Sequence, residues 1–209
     1  MIVKEKGNAV IVEDVRDFDL DNIFDCGQCF RWERDEKGRY VGTAFGRHAL
    51  MEYDGSSQIL IIHGADEEDF QTVWRKYLDL DRDYGKIKEK LAERDKVIAR
   101  AIDYGQGIRI LNQEKWETLL SFIISQNNNI PRIKKCIDNL ARTLGSPSGQ
   151  FMGREFYDLP SPEVLAGATE EKLAPCRLGY RSKYLIETAR QVAEAGLDSL
   201  ERLGAPEVT

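Results

Sequence analysis

The spacing of apolar residues changes once along the chain. In residues 1–65 apolar and polar positions alternate, the period of a half-buried strand. GNAVIVEDV reads as one strand. CFRWERDEKGRYVGTAF reads as a hairpin turning at Glu36-Lys37-Gly38, and RHALMEYDGSSQILIIHG as a second, turning at Asp54-Gly55. From Asp66 the period becomes helical. The acidic run DEEDF suits a helix N-terminus, and Phe70, Val73, Trp74 and Tyr77 then mark one face. Helices are expected over YGKIKEKLAERD, KVIARAIDYG, EKWETLLSFIISQ, IPRIKKCIDNLARTLG, SPEVLAG, EEKLAPC and RSKYLIETARQVAEAG. LDSLERLGAPEVT reads as the start of a further helix.

This order predicts an α+β fold. Residues 1–105 form a small antiparallel sheet domain with flanking helices. Residues 106–209 form an all-helical domain, expected to be incomplete at its C-terminal end. A chain of 209 residues supplies a real core for such an arrangement, and 42% hydrophobic residues exclude a disordered composition. No apolar run reaches the ~18 residues that span a bilayer. The start, MIVKEKGNAVIVED, lacks the apolar stretch of a secretory signal, and four cysteines in this length do not make a disulfide framework. Together these imply an intracellular protein.

A net charge of −6 argues at first against nucleic acid, but its distribution changes that picture. All the acidic excess lies in residues 1–104, and residues 105–209 are neutral. Ile130–Arg142 and Pro175–Arg190 each carry four basic residues and one acidic. Two short basic segments suit a small, specific anionic contact rather than a long electrostatic groove.

Three stretches carry candidate chemistry. In SFIISQNNNIPRIKK, Asn129 can cap a helix whose first turn accommodates Pro131. On that helix Ile130, Ile133, Ile137 and Leu140 are expected to face the core, with Arg132, Lys135, Asn139 and Arg142 opposite. A capped helix with a solvated basic face accounts for this spacing but leaves Gln126, Asn127 and Asn128 unexplained. Side-chain amides beside an arginine fork can read base edges. In CRLGYRSKYL, Leu178-Gly179 reads as a turn into a helix, with Tyr180 and Arg181 at its entry. Tyr180 is either an ordinary helix-entry aromatic or a ring that stacks on or parts bases. In FDCGQCFRW, the C-x-x-C of Cys26 and Cys29 invites a zinc or thiol-redox reading. Against it, Cys136 and Cys176 are isolated, His48 and His63 lack ligand spacing, and the motif leads into a hairpin rather than a βαβ unit. Gly27-Gln28 reads instead as a tight bend whose bare backbone can approach a ligand.

DCGQCFRW, SFIISQNNNIPRI and LGYRSKY, in this order, resemble the 8-oxoguanine DNA glycosylases of the helix-hairpin-helix superfamily, with serines usual in that family where Cys26 and Cys29 stand. The resemblance implies base-excision repair of double-stranded DNA: 8-oxoguanine opposite cytosine is flipped out and excised, with associated AP lyase activity and no cofactor or metal, by a monomer with no membrane association. It implies that Gly27 presents its carbonyl to the lesion base. Asn127 fills the gap left by the flipped nucleotide, Arg132 and Arg181 donate to the orphaned cytosine, and Tyr180 wedges the stack. The family's catalytic hairpin, of the type LPGVGxK with a later aspartate, does not occur up to Thr209. The catalytic lysine and aspartate are therefore expected beyond Thr209, and the 209 residues by themselves are expected to be inactive. The alternatives are a catalytically dead lesion-binding fragment, or a thiol-redox or metal protein using Cys26 and Cys29.

Overall fold

The computed structural model describes residues 1–204. They divide into two compact units, one of Met1–Asn112 and one beginning at Gln113.

In the first unit the elements run β1 (Ile2–Glu5), β2 (Ala9–Glu13), α1 (Leu20–Phe24), β3 (Trp32–Arg34), β4 (Tyr40–Ala44), β5 (Arg47–Asp54) and β6 (Ile59–His63). They continue with α2 (Glu67–Asp69), a π turn at Phe70–Trp74, α3 (Arg75–Tyr77), α4 (Tyr84–Ala92) and α5 (Lys96–Tyr104). The strands form one antiparallel sheet in the order β1-β2-β6-β5-β4-β3. Alternation does what it predicts. Val10 pairs with Ile62 and Val12 with Leu60, all four fully buried on one face. That face packs on Ile23, Phe24, Phe70, Trp74 and Tyr77. Trp32 is central: Phe24 stacks on it at 4.4 Å, and its indole N–H donates to the Tyr77 hydroxyl at 2.8 Å. A stacked pair of this kind adds about 0.5–1.5 kcal/mol beyond its area burial. Gly42 lies opposite Trp32, where a Cβ would meet the indole ring at 2.5 Å, so no other residue fits without moving the tryptophan.

β1 and α1 do not stand out in the hydrophobic pattern. Helix α1 is only five residues long, too short to show a 3.6-residue period; it forms because the Asp19 carboxylate accepts from Asn22 N at 2.7 Å. Residues 106–112, expected in the helical part, fold into the first unit. The Arg109 guanidinium donates to the carbonyls of Arg16, Asp17 and Asp79, and Asn112 N donates to Tyr77 O.

The second unit holds α6 (Lys115–Ser125), α7 (Ile130–Leu144), β7 (Pro147–Phe151), β8 (Arg154–Tyr157), α8 (Pro162–Ala166) and α9 (Glu170–Leu173). A 3-10 turn at Ala174–Cys176, α10 (Arg181–Ala195) and a 3-10 segment at Leu197–Gly204 complete it. Its core is built from Leu120 and Ile124 of α6, Ile133, Ile137 and Leu140 of α7, Leu165 of α8, and Leu185 and Ala189 of α10. Two expectations need correction. The unit is not wholly helical: β7 and β8 pair through a Met152-Gly153 turn with φ of 50° and 73°, a left-handed geometry that joins two strands tightly. Ile130 is not a core residue; it is 36% exposed on the first turn of α7, where the chain is only entering the helix. The expected last helix is 3-10 as far as Gly204, and APEVT lies outside the described residues. Among the described residues no helix is long and apolar enough to cross a membrane.

Candidate functional site

In the second unit the asparagine run is the link between α6 and α7, and its four amides have separate tasks. Gln126 follows the last turn of α6, and its Nε2 donates to Phe122 O at 3.2 Å. Asn128 stitches the two helices: its Nδ2 donates to Ile124 O at 2.9 Å and its Oδ1 accepts from Asn129 N at 3.0 Å. Asn129 caps α7, its Oδ1 accepting from Arg132 N at 3.0 Å. Asn127 is left over. Its backbone is left-handed, with φ of 48°, and its side chain is exposed and without a partner among the described residues. Arg132, on the first turn of α7, is likewise exposed with an unpaired guanidinium. Two donor groups that make no bond among the described residues thus stand five residues apart on a fixed turn.

The basic face of α7 is narrower than its spacing suggests. Arg142 is engaged by the Asp138 carboxylate at 3.0 Å and lies over the Tyr157 ring at 4.9 Å, and Asp138 holds its guanidinium above the ordinary pKa. Asn139 Nδ2 donates to Pro175 O at 3.5 Å. Arg132 and Lys135 remain.

Gly179, with φ of 62°, turns the chain into α10 and sets Tyr180 and Arg181 at its mouth. Tyr180 is 55% exposed and its hydroxyl donates to Gln126 O at 3.4 Å. Its ring meets that of Tyr184, also 56% exposed, edge to face at 6.1 Å. Arg181 stands at the entry of α10, as expected, and is buried there. It is 4% exposed, its Cζ lies 4.5 Å over the Tyr180 ring, and its donors are committed to main-chain carbonyls. Nε donates to Gln126 O at 3.0 Å, Nη1 to Leu178 O at 3.2 Å, and Nη2 to Asn127 O at 3.0 Å and also to Gln126 O. Among the described residues the Arg132 guanidinium makes no hydrogen bond, whereas that of Arg181 makes four.

In the first unit, Gly27 follows α1 with φ of 89°, a conformation that favours glycine. Gln28 anchors this bend. Its Nε2 donates to Ile23 O and Arg109 O, both at 2.9 Å, and its Oε1 accepts from Leu111 N at 2.9 Å. The sequence reads Gly27-Gln28 as a tight bend and does not show this brace, since two of its three partners, Arg109 O and Leu111 N, lie more than 80 residues away. Arg109 is braced in turn, 4% exposed and stacked 4.6 Å over Tyr84; burial draws its guanidinium below the ordinary pKa. The thiols of Cys26 and Cys29 donate to the helix-end carbonyls of Ile23 and Phe24 at 3.5 and 3.8 Å. Among the described residues no group of three His, Cys, Asp or Glu is placed to hold a metal ion.

The family of the 8-oxoguanine DNA glycosylase N-terminal domain matches residues 10–119, and that of HhH-GPD superfamily base excision DNA repair proteins matches residues 120–209. An N-glycosylase/DNA lyase of Saccharomyces cerevisiae is 36% identical over 197 residues, covering 86% of this chain and 52% of the relative. The solved structure of MBOgg1 in complex with a low-affinity DNA ligand is 46% identical, with a TM-score of 0.88 over 93% of this chain and 66% of the other. The Clostridium acetobutylicum 8-oxoguanine glycosylase/lyase, in complex with double-stranded DNA containing cytosine opposite 8-oxoguanine, is 43% identical with the same TM-score and the same coverage of both chains. The chain spans about half the length of the curated relatives it matches.

Proposed function

From the premise that this chain belongs to the 8-oxoguanine DNA glycosylases of the HhH-GPD superfamily, we propose that the protein recognises and removes 8-oxoguanine paired with cytosine in double-stranded DNA. The single observation that carries the reading is the pair of exposed donors, Asn127 and Arg132, unpaired among the described residues, on a turn whose other amides are all consumed in holding it.

The target leaves the stack at a cost of a few kcal/mol. Asn127 enters the gap, and Arg132 donates to the acceptors N3 and O2 of the orphaned cytosine; a well-placed fork is worth roughly 1–3 kcal/mol of discrimination. Tyr180, half exposed beside this turn, wedges the neighbouring step. Gly27 offers the lesion a backbone carbonyl. N7 of 8-oxoguanine carries a hydrogen that such a carbonyl accepts, whereas N7 of guanine is a bare acceptor and is repelled. A site built around one hydrogen rejects the ligand that lacks it, because its buried polar atoms are left unpaired.

Within these 209 residues the reading assigns recognition and not the nucleophile. Lys183 belongs to the recognition motif and sits exposed on the first turn of α10. In the glycosylase/lyase chemistry an amine nitrogen attacks the sugar C1′, the C1′–N9 bond breaks with its electrons leaving on the base, and the resulting Schiff base permits strand cleavage. The test is to measure binding of the 209-residue chain to duplexes holding 8-oxoguanine or guanine opposite cytosine, with borohydride trapping alongside. Preference for the lesion duplex with no trapped adduct is expected. Equal binding to both duplexes defeats the recognition reading, and a trapped adduct defeats the assignment of the nucleophile outside these residues.

A further inference from the structure

We infer that Cys26 is an oxidation site: a peroxide joins it to Cys29 in a disulfide, and the closed bend no longer presents the Gly27 carbonyl to the lesion base. The second half of the inference rests on the proposed reading of Gly27, and the first half does not.

The C-x-x-C of FDCGQCFRW encloses the two residues of the bend, Gly27 and Gln28. Its sulfurs share a place but differ in access. Cys26 Sγ donates to Ile23 O at 3.5 Å and Cys29 Sγ to Phe24 O at 3.8 Å. Ile23 and Phe24 are consecutive at the end of α1, so both sulfurs gather over one helix end. Three peptide steps reach about 10 Å when extended. They come within the roughly 4.4–6.8 Å between Cα atoms that a disulfide needs only where the chain turns, and Gly27, with φ of 89°, turns it. Cys26 is exposed, whereas Cys29 is 2% exposed. A reagent in solvent therefore meets Cys26 first, and Cys29 reaches that sulfur from the protein side. Cys136 and Cys176 are both buried and offer no such entry.

The step balances with hydrogen peroxide as the oxidant. The Cys26 sulfur attacks one peroxide oxygen and the O–O bond breaks. The departing hydroxide takes the thiol proton and leaves as water, and Cys26 is then a sulfenic acid. The Cys29 sulfur attacks the Cys26 sulfur, and the S–O bond breaks with its electrons on oxygen. That hydroxide takes the Cys29 proton as a second water. Two thiols are oxidised to one disulfide, and one peroxide is reduced to two waters. Both sulfurs then leave their carbonyls on α1. The Gly27–Gln28 peptide lies inside the new ring, so the Gly27 carbonyl turns as the ring closes. Reduction by a dithiol reopens the bend.

The test begins with the 209-residue chain free of DNA. It is treated with hydrogen peroxide, alkylated and digested, and the peptide holding Cys26 and Cys29 is weighed. That peptide should lose two hydrogen atoms and take up no alkyl group, while Cys136 and Cys176 are alkylated on unfolding. A sulfinic acid at Cys26 beside a reduced Cys29, or a disulfide between two chains, overturns the inference. Cys29→Ser should halt Cys26 at the sulfenic acid, captured by dimedone. Should that variant fail to fold, the peptide mass of the wild-type chain before and after dithiothreitol decides. Oxidation should lower the preference for 8-oxoguanine over guanine opposite cytosine by about tenfold, within the range of one unmade buried hydrogen bond, and dithiothreitol should restore it. The double variant Cys26→Ser, Cys29→Ser keeps hydroxyls that can donate to the same carbonyls, and should hold its preference through peroxide. An unchanged preference in the oxidised chain overturns the coupling, and so does an equal loss in the double variant. A reduced chain with no preference for 8-oxoguanine removes the Gly27 reading and the coupling with it, while the peptide mass still decides whether the disulfide forms.

Discussion

The Gly27 bend and the Asn127 turn solve one problem with different parts. Each puts a residue with positive φ at the mouth of a helix, and each braces that residue with the side-chain nitrogens and oxygens of a neighbour. In the first unit the brace is a neutral amide: Gln28 satisfies one carbonyl of the nearby α1 and a carbonyl and an N–H of one remote segment. In the second it is a cation, Arg181, that gathers three carbonyls and no N–H. The difference follows from what each must leave open. A bend that offers a carbonyl to a ligand is best held by a group that adds no charge beside it. A turn that follows a helix C-terminal end already has surplus carbonyls, and a guanidinium matches them. Glycine then suits the first position because no side chain is wanted there, and asparagine the second because it tolerates the left-handed region and still carries an amide.

Breaking the first brace at its centre should have the largest effect. Gly27→Leu places a side chain where the proposed site has backbone approach the base, and puts a branched residue at φ of 89°. The preference for 8-oxoguanine over guanine should fall by about 1–3 kcal/mol, the cost of an unmade buried hydrogen bond, with the preference for cytosine opposite left intact. Full retention of lesion preference in a binding titration removes Gly27 from the site. Breaking the opposite region at its free donor should have the complementary effect. Arg132→Ala should lower discrimination in favour of cytosine by roughly 1–3 kcal/mol and spare the choice of lesion base. If affinity opposite C, A, G and T drops by one common factor, Arg132 is positional.

Gln28→Ala attacks the neutral brace. It leaves Arg109 O and Leu111 N short of a partner and Ile23 O with only the weak Cys26 thiol, so the first unit should lose about 1–3 kcal/mol in denaturant unfolding, with a smaller loss of lesion preference than Gly27→Leu. An unchanged midpoint would show that water replaces the amide without loss.

The smallest expected effect is alkaline. Burial, with hydrogen bonds to Asp25 and Asp21, pushes the Tyr40 phenol of the first unit above its ordinary 10.0. In the second unit burial pushes the Cys176 thiol above its ordinary 9.0, partly offset by a hydrogen bond from Thr143. A raised folded-state pKa means stability that is whole below the unfolded value and lost as pH rises towards the folded one. The second unit should therefore start to weaken at lower pH than the first. Unfolding midpoints measured between about pH 8 and 11 check this. Cys176→Ala should flatten the earlier decline and Tyr40→Phe the later; a decline untouched by either variant assigns it to other groups.

Periodicity alone determined most of the architecture: the strands from Ala9 to His63, helices α4 to α10, and the Asn129 cap all follow from local patterns whose energies are local too. The motifs singled out Gly27, Asn127, Arg132, Tyr180 and Arg181 as candidates. Elements too short or too weakly patterned to show a period escaped it, namely β1, α1 and the β7–β8 hairpin. What only tertiary structure decided is which polar group is free. Asn127 and Asn128 are identical in chemistry and adjacent in sequence, yet the side chain of Asn128 is spent on Ile124 O and that of Asn127 on no described residue. Arg132 and Arg181 both stand in basic segments, yet one is exposed and the other is bound to carbonyls up to 55 residues away. Hydrogen-bond partners at such separations are set by how helices and loops pack, because a donor's availability depends on what the fold brings within 3 Å of it, about the reach of one hydrogen bond.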